Sequence, residues 1–301
     1  MSDTGSDVGE LLGTYRDVAP LDDRPEGRRY RAKLQNGTAV VVTALSRDLT
    51  ARIREPEKFL ARLQDVDAED AFTRVALAGR TTGGVLHFAT PSHEAAALRA
   101  GTMRAPEIAR LGATIARALD GVHRRGLVHG AICTVRLSMK DGSVLLDGLG
   151  LCRALVAGGL SASDASFALT AGPYVASEVR AGNAPDARSD IYGLGASLYE
   201  LMTGKPPFGG RTTSFVMATV LADEESVEGA EGDAHAGPVV DAVLRAIEAN
   251  PVDRWSDAAA FADALSKTAA APEVSSAGGG CLPRAAAASV LIAAAIVLFG
   301  T

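Results

Sequence analysis

The middle of the chain carries the sequence pattern of a helix, followed by that of a loop and that of a strand. Apolar residues recur at steps of three and four from Ile108 to Val122, which predicts one apolar face of a helix. Gly126 ends that helix, because glycine is favoured just after the last helical turn. The segment LVHG brings His129 next, and VLLD at 144–147 predicts a short strand. The fold must therefore place a histidine-bearing loop between a long amphipathic helix and a strand.

The run from Leu119 to Leu155 resembles the catalytic core of the eukaryotic-type (Hanks-type) Ser/Thr protein kinases of bacteria. It reads LDGVHRRGLVHGAICTVRLSMKDGSVLLDGLGLCRAL, where the family pattern is HRDLKPEN, then a strand, then DFG. His129 matches the histidine of the first motif, and Leu149 matches the phenylalanine of DFG. The family's catalytic and metal-binding residues are replaced. Ala131 stands in place of the catalytic aspartate, Cys133 in place of the lysine, Arg136 in place of the metal-binding asparagine and Gly148 in place of the metal-binding aspartate.

These replacements matter because phosphoryl transfer is mostly positioning and charge neutralisation. A carboxylate must accept the proton of the substrate hydroxyl, and Ala131 has none. Mg²⁺ requires oxygen ligands. Gly148 offers no side-chain oxygen, and Arg136 brings a positive charge to the place of the cation. The resemblance therefore predicts a degenerate member of the family, a pseudokinase, with no intact catalytic residue and no metal site. No cofactor is expected, and ATP with Mg²⁺ is the alternative.

Asp147 lies one position before the expected metal ligand. A shift of the match by one residue would let Asp147 bind a cation, so it is kept as a weak candidate for cofactor binding. Strand alternation places Val144 and Leu146 on one face and Asp147 on the other, which disfavours the shift.

The N-terminal part of the chain resembles the family less closely. Residues 28–33 and 38–45 predict two strands around the turn Asn36-Gly37, a strong hairpin signal. Where the family has a glycine-rich loop, this chain has LDDRPEG at 21–27. The acidic side chains of that segment, which would repel a triphosphate, are Asp22, Asp23 and Glu26. The strand VVVTAL resembles VAIKVL, so that Thr43 takes the place of the phosphate-binding lysine.

Residues with architectural roles in the family are retained downstream, in the family's order. AGPYVASE resembles the segment that ends in APE, SDIYGLG resembles the DVWSLG helix, and NPVDRW resembles the late arginine motif. The resemblance implies a buried ion pair between Glu178 and Arg254. It also implies that Asp190 holds the backbone of the catalytic loop and that His129 packs beneath Leu149. Asp190 is in addition an N-cap candidate, because it precedes an apolar helical run.

The resemblance covers residues 15–266 and predicts an α+β fold of two lobes. The small β-rich N-lobe is expected at about 15–90, and the larger helical C-lobe at about 91–266. Residues 1–14 are polar and acidic, and we expect them to form a flexible N-terminus without a signal peptide.

The C-terminal end differs in composition from the rest of the chain. Residues 267–281 predict a flexible linker, and residues 282–301 are apolar to the last position. Because this last segment has no polar face, it predicts a transmembrane helix rather than a buried terminal helix, which is the alternative. Lys267 and Arg284 precede the segment, which favours a single-pass inner-membrane protein with a cytoplasmic N-terminal domain.

The overall charge restricts the class of partner. The net charge is −6, which argues against nucleic-acid binding and is compatible with a protein partner. The three cysteines are scattered and match neither a disulfide framework nor a metal-binding spacing.

The sequence thus predicts a membrane-tethered pseudokinase that acts as a scaffold or allosteric regulator in Ser/Thr kinase signalling. Its partner would be a kinase, a substrate or another signalling protein. One alternative is an atypical active Ser/Thr protein kinase that uses Asp147 for ATP-dependent transfer to protein. The other is a small-molecule sensor that uses the vacated nucleotide cleft. Without the glycine-rich loop and the lysine, that cleft is expected to be apolar and to suit a neutral ligand.

Overall fold

The N-terminal lobe is built around an antiparallel sheet. The computed structural model describes residues 9, 11–65, 71–92, 96–207 and 236–269. In the lobe, the strands are β1 (Arg16–Arg24), β2 (Gly27–Lys33), β3 (Ala39–Leu45), β4 (Leu77–Arg80) and β5 (Leu86–Pro91), and they pair in the order β1-β2-β3-β5-β4. The hairpin predicted from Asn36-Gly37 is confirmed, because β2 pairs with β3 over their full length. Gly37 has a φ of 88°, a conformation that favours glycine.

The outer face of this sheet carries its own apolar core. Tyr30, Val40 and Val42 are fully buried there, and the segment that contains Leu11 and Tyr15 covers them. Leu11 is only 1% exposed. The packed domain therefore begins by Leu11, within the stretch that was predicted to be flexible, because apolar side chains of that stretch complete the face of the sheet.

Two short helices connect strands β3 and β4. Helix α1 (Arg47–Arg52) begins after Ser46, whose hydroxyl accepts a hydrogen bond from Leu49 N at 3.2 Å. Helix α2 (Pro56–Gln64) buries Phe59 and Leu63 against the other lobe.

The C-terminal lobe is mainly helical. Its elements are α3 (Ala105–Arg124), α4 (Leu151–Ala157), α5 (Ala162–Leu169), α6 (Ser177–Arg180), α7 (Ala187–Thr203), α8 (Ala236–Ala246) and α9 (Ala258–Ala269), with a small sheet of β6 (Ala96–Ala97), β7 (Leu137–Lys140) and β8 (Ser143–Leu146). The predicted face of α3 is confirmed, since Ile108, Ile115 and Leu119 are fully buried against α7 and α9. The α+β prediction of two lobes therefore holds.

The start of helix α7 differs from the prediction. Its N-cap is Asp186, whose side chain accepts a hydrogen bond from Ser189 N at 2.9 Å. Asp190 lies within the first turn and is 1% exposed. The Asp190 carboxylate accepts hydrogen bonds from the loop at His129. Asp186 therefore caps the free N–H groups at the start of the helix.

A second apolar cluster joins the two lobes. It combines Leu45 and Phe59 of the N-lobe with Leu151 and Leu155 of α4 and Leu169 of α5. Helix α2 thus packs directly on α4. Because both lobes contribute buried side chains to one cluster, the segment after β8 is held as part of the core rather than as an open loop.

Within the described part of the chain, no helix has both the length and the apolar composition needed to cross a membrane. The predicted linker at 267–281 lies largely outside that part, apart from the end of α9, and the predicted transmembrane helix at 282–301 lies wholly outside it.

Candidate functional site

The loop that resembles the kinase catalytic loop is held in place by Asp190. One carboxylate oxygen accepts the backbone N–H of His129 at 2.8 Å, and the other accepts that of Gly130 at 2.8 Å. The imidazole of His123 contacts the same carboxylate at 2.9 Å. The predicted role of Asp190 is thus confirmed, because this buried side chain fixes the backbone on both sides of the His129-Gly130 peptide.

His129 is a structural residue. Its Nε2 lies 3.1 Å from the carbonyl of Asp147, and its Nδ1 accepts the N–H of Ala131 at 3.3 Å. This pattern requires a neutral ring with the proton on Nε2. Burial lowers the pKa of His129 to about 4, and Arg136 adds to the effect while Asp190 opposes it. His129 and Leu149 are both buried, and the packing of one beneath the other stays a prediction.

Arg136 forms a buried ion pair with Glu26. Its Nη2 donates to Glu26 Oε2 at 2.9 Å and to the carbonyl of Leu169 at 2.9 Å. The two side chains are 2% and 3% exposed. Burial disfavours the charged guanidinium, but Glu26 outweighs it and raises the pKa of Arg136. This pair therefore connects the turn after β1, the catalytic-like loop and the end of α5.

Gly148 makes room for this guanidinium. A Cβ atom at position 148 would lie 2.7 Å from Arg136 Nη1, closer than real Cβ contacts allow. Gly148 also has a φ of 93°, which favours glycine. The two residues are therefore complementary: Gly148, which has no side chain, leaves the space that the Arg136 guanidinium occupies.

Glu26 has a different environment from the one that its sequence context predicted. It was expected to repel a triphosphate, together with Asp22 and Asp23. Each of these carboxylates instead has an arginine partner: Glu26 pairs with Arg136, Asp22 with Arg29 and Asp23 with Arg28. The charge pattern of DDRPEGRR could have indicated the pairs that Asp22 and Asp23 form across the hairpin. It carries no signal for the partner of Glu26, which lies 110 residues away.

Position 131 is covered by the segment that follows β8. Ala131 is 3% exposed and belongs to the interlobe cluster with Leu155 and Leu169. Ser166 of α5 donates to the carbonyl of Gly130 at 2.6 Å. The cavity that remains beside Ala131 has a volume of about 10 Å³, room for at most one water molecule. A substrate hydroxyl cannot reach this position in the observed conformation.

Thr43 is buried on β3, directly opposite Arg29 of β2. Paired residues of antiparallel strands present their side chains to the same face. Arg29 thus brings a guanidinium next to the position that lost its lysine. Its Nη1 lies 3.8 Å from Asp147 Oδ2. Asp147 lines the cleft. Strand alternation correctly separates it from Val144 and Leu146, but this alternation does not turn it away from the cleft, as its use against a cation-binding role assumed.

The cleft between the lobes is a cavity of about 520 Å³. Basic side chains that line it are Arg24, Arg29, Arg31 and Arg136. The expectation of a less cationic cleft is therefore wrong, whereas apolar side chains such as Val41, Leu137 and Leu145 do line it. The reason is that Thr43 replaces the lysine of the matching motif, whereas the fold brings arginines into the cleft from β1, β2 and the catalytic-like loop.

The two positions that match the family's magnesium ligands, Arg136 and Gly148, offer no side-chain oxygen. Among the described residues, no group of three His, Cys, Asp or Glu side chains could hold a metal ion. The Arg136 guanidinium lies beside Gly148, where the resemblance places the cation. Cys133, at the lysine position, is a buried free thiol.

The predicted ion pair between Glu178 and Arg254 is present. Arg254 donates from Nη1 to Glu178 Oε1 at 2.7 Å and from Nη2 to Oε2 at 2.8 Å. The Arg254 side chain is fully buried, and its Nε donates to the carbonyl of Glu248 at 2.7 Å. Partial burial opposes ionisation of Glu178, but hydrogen bonding by Arg254 holds the pKa of that carboxyl below its usual range.

The two lobes, the loop held by an aspartate and the glutamate–arginine pair define a protein of the kinase class. The protein kinase domain family matches residues 85–266. The chain therefore belongs to the protein kinase domain family.

The chain is also similar to individual mycobacterial kinases. It is 31% identical over 276 residues to the serine/threonine-protein kinase PknJ of Mycobacterium tuberculosis, an alignment that covers 85% of this chain and 46% of that protein. It is 33% identical over 145 residues to PknB of Mycolicibacterium smegmatis, covering 48% of this chain and 23% of that protein. The chain thus spans about half or less of the length of these relatives.

Solved structures show the same fold. The kinase domain of Mycobacterium tuberculosis PknI superposes with a TM-score of 0.60 at 19% sequence identity, covering 85% of this chain and 97% of that domain. The kinase domain of maize SIRK1, which was solved bound to AMP-PNP, has a TM-score of 0.63 at 19% identity, covering 89% of this chain and 97% of that domain. At this identity the likeness concerns the fold alone.

Proposed function

We propose that this chain is a pseudokinase that acts as a scaffold or allosteric regulator in Ser/Thr kinase signalling, without efficient phosphotransfer. The observation that carries the proposal is the buried Arg136–Glu26 ion pair, which sets a cation against Gly148 at the place of the metal. The burial of Ala131 beneath α5 supports it, since no carboxylate and no space are available for a substrate hydroxyl.

The contacts between the lobes support a scaffold role, because they hold the domain in one conformation. The interlobe cluster and the Arg136–Glu26 pair hold the lobes together without a ligand. The Glu178–Arg254 pair fixes the other end of the segment that follows β8. A surface built on such a framework would be presented to a partner kinase or substrate in one conformation, so that little entropy is lost on binding.

The test is a transfer assay on the purified full-length chain in detergent micelles. Labelled ATP with Mg²⁺ or Mn²⁺ would be offered alone and with a basic protein substrate. A kinase domain of established activity would run in parallel to validate the assay. We expect no label on the chain or on the substrate above the level of a heat-denatured sample. Metal-dependent transfer by the native chain would contradict the proposal.

One observation favours the atypical active kinase as the second candidate. Asp147 faces the cleft, and Arg29 lies beside it on β2, next to the missing lysine. If these two residues replaced the lost groups, transfer would be detected and Asp147→Ala would abolish it. The absence of a proton acceptor at Ala131 makes this the weaker candidate.

Membrane tethering through residues 282–301 is part of the proposal. The support is the sequence, which gives this segment no polar face. After cell fractionation, the full chain should sediment with membranes and resist extraction by carbonate, whereas a chain ending at residue 271 should stay in the supernatant. Equal distribution of both proteins would rule out the tether.

A further inference from the structure

Helix α3 is exposed along one narrow stripe, and that stripe is basic. Arg110, Thr114 and Arg117 are exposed and follow one another at steps of four and three, so they lie on one side of the helix. The Arg117 guanidinium donates to the hydroxyl of Ser266 in α9 at 2.6 Å. The next residue of α9, Lys267, is exposed as well. Arg110, Arg117 and Lys267 thus lie along one side of α3 and the end of α9, and they form the basic face.

Helices α3 and α9 carry three carboxylates, and two of them have partners. Glu107 accepts the backbone N–H of Arg104 at 2.9 Å, and Asp120 forms an ion pair with Arg124. Asp263, on the exposed side of α9, is the third. Even when Asp263 is counted against it, the basic face keeps a net positive charge in a chain whose net charge is −6. Such a surface attracts an anionic partner.

A groove with a volume of about 760 Å³ lies beside the basic face. Helix α3 contributes Glu107, Arg110 and Thr114 to its walls, and strands β7 and β8 contribute Met139 and Val144. Methionine side chains are flexible and adapt to different apolar partners. The groove therefore adds apolar contact area next to the cations, the combination that favours binding at an anionic lipid surface.

The basic face lies at the end of α9, from which the chain continues to the apolar segment. Helix α9 ends at Ala269, two residues after Lys267, and residues 270–281 separate it from the segment at 282–301. A linker of that length spans at most roughly 40 Å when it is fully extended. If residues 282–301 anchor the chain, as the proposed function has it, the end of α9 stays close to the lipid headgroups.

We propose that the basic face docks on the anionic surface of the membrane that anchors the chain. Arg110, Arg117 and Lys267 contact lipid phosphates, and the groove receives the apolar part of a lipid. A lysine or arginine near an anionic leaflet strengthens binding by roughly fivefold, so that three of them favour the docked state on the order of 100-fold. This inference rests on the proposed membrane tether and goes beyond it, because docking fixes which faces of the domain remain open to a partner.

Docking by these three charges depends on the tether. A preference of that size is too small to hold a free domain on a membrane, but an anchored domain has a high local concentration of lipid around it. The basic face should therefore bind only when the chain is anchored, and high salt should release it, because salt screens exposed charges. Salt sensitivity separates docking from the anchor itself, which depends on apolar contacts.

The experiment is thiol labelling of the full-length chain in lipid nanodiscs of two compositions. One is phosphatidylcholine, and the other is an equal mixture of phosphatidylcholine and phosphatidylglycerol. Thr114→Cys places a thiol in the middle of the basic face, and Thr38→Cys places one at the exposed turn between β2 and β3. Both are made in a Cys281→Ala background, in which the remaining cysteines, Cys133 and Cys152, are buried.

A water-soluble maleimide should label Thr114→Cys at least roughly tenfold more slowly in anionic than in neutral discs, and high salt should restore the rate. Thr38→Cys should react equally in both, because it lies in the N-lobe, away from the basic face. Equal rates at Thr114→Cys, or slowing at both positions, would overturn the proposal.

A matched pair of lysine variants tests the charge. Lys267→Gln should speed the labelling of Thr114→Cys in anionic discs roughly fivefold. Lys58→Gln, on α2, removes an ammonium that already pairs with Glu55, and it should change nothing. Equal effects of the two variants would contradict the proposal.

Size-exclusion chromatography of the same samples reports the tether separately. A chain that elutes apart from both kinds of disc refutes the tether and the docking that rests on it. A chain that elutes with both kinds of disc and reacts equally in both refutes docking alone.

Discussion

At the position that matches the metal-binding asparagine, Arg136 forms an ion pair with Glu26 that is almost fully buried. Desolvating two charges is expensive, so a pair of this kind contributes little compared with an apolar pair of the same shape. Breaking it is different, because the remaining charge is left buried without a partner. The pair therefore stabilises one arrangement of the turn after β1 against the catalytic-like loop of the C-lobe.

Arg136→Gln and Glu26→Gln should each lower the free energy of unfolding by about 3–5 kcal/mol. The double variant should lose clearly less than the sum, because neither charge is then left alone. Urea titrations of the three variants measure the coupling. The control pair is Arg28–Asp23, whose side chains are 26% and 69% exposed and whose loss should cost about 1 kcal/mol or less. Additive losses at Arg136 and Glu26 would show that the pair is not a unit.

His129 should make stability depend on pH. Burial lowers its pKa from 6.5 to about 4 in the folded chain. Between these values the unfolded chain binds a proton that the folded chain does not. The contribution of His129 is therefore fully present above about pH 6.5 and is lost as the pH falls towards 4, a total of about 3 kcal/mol.

The measurement for His129 is urea unfolding at intervals of pH for the wild type and for His129→Asn. The variant should be less stable at neutral pH, because the contacts to Asp147 and Ala131 are weakened. Its stability should also change less between pH 6.5 and 4. Parallel curves for the two proteins would assign the pH dependence to other groups, such as Glu178.

At the scale of elements, the turn between β8 and α4 is shaped by Gly148. Its φ of 93° and the Arg136 guanidinium beside it leave no room for a side chain. The turn between β7 and β8 contains Gly142, which has a φ of 78° but no atom within 4 Å of an added Cβ. Substitution of Gly142 therefore tests the cost of the left-handed backbone alone, whereas substitution of Gly148 adds a steric clash.

Gly142→Ala should cost about 1–2 kcal/mol, the penalty of a left-handed conformation alone. Gly148→Ala carries that penalty and must also displace the guanidinium of Arg136, so we expect it to cost at least about 1 kcal/mol more. Thermal and urea unfolding of both variants would measure the difference. Equal losses would mean that the space around Gly148 is not set by Arg136.

At the scale of the whole molecule, the interlobe cluster should make the two lobes unfold cooperatively. Leu155 of α4 is fully buried in that cluster, whereas its neighbour Val156 is 41% exposed. Leu155→Ala should lower stability by about 2–5 kcal/mol, and Val156→Ala should have a much smaller effect.

Hydrogen exchange followed by mass spectrometry tests the coupling between lobes. In Leu155→Ala, protection should fall together in β3 of the N-lobe and α3 of the C-lobe, because both depend on one cluster. Val156→Ala should leave both unchanged. Loss of protection in one lobe alone would show that the cluster belongs to that lobe and does not join them.

Local patterns predicted most of the elements. The period of α3, the hairpin at Asn36-Gly37 and the order of the downstream motifs were readable because each depends on residues close in sequence. The N-cap of α7 was assigned to Asp190 instead of Asp186, since the sequence does not show which of two nearby carboxylates is needed by the loop at His129.

The sequence by itself determined the class of fold and the loss of the residues that handle phosphate and metal, because these follow from residue types at ordered motif positions. Only the tertiary structure decided what took their place. Glu26 and Arg136 are 110 residues apart in sequence, and no local pattern pairs them. Arg24, Arg29 and Arg31 face the cleft only because β1 and β2 fold over it. The charge of a cavity is a sum over segments that folding brings together, and a pattern along one segment cannot give that sum.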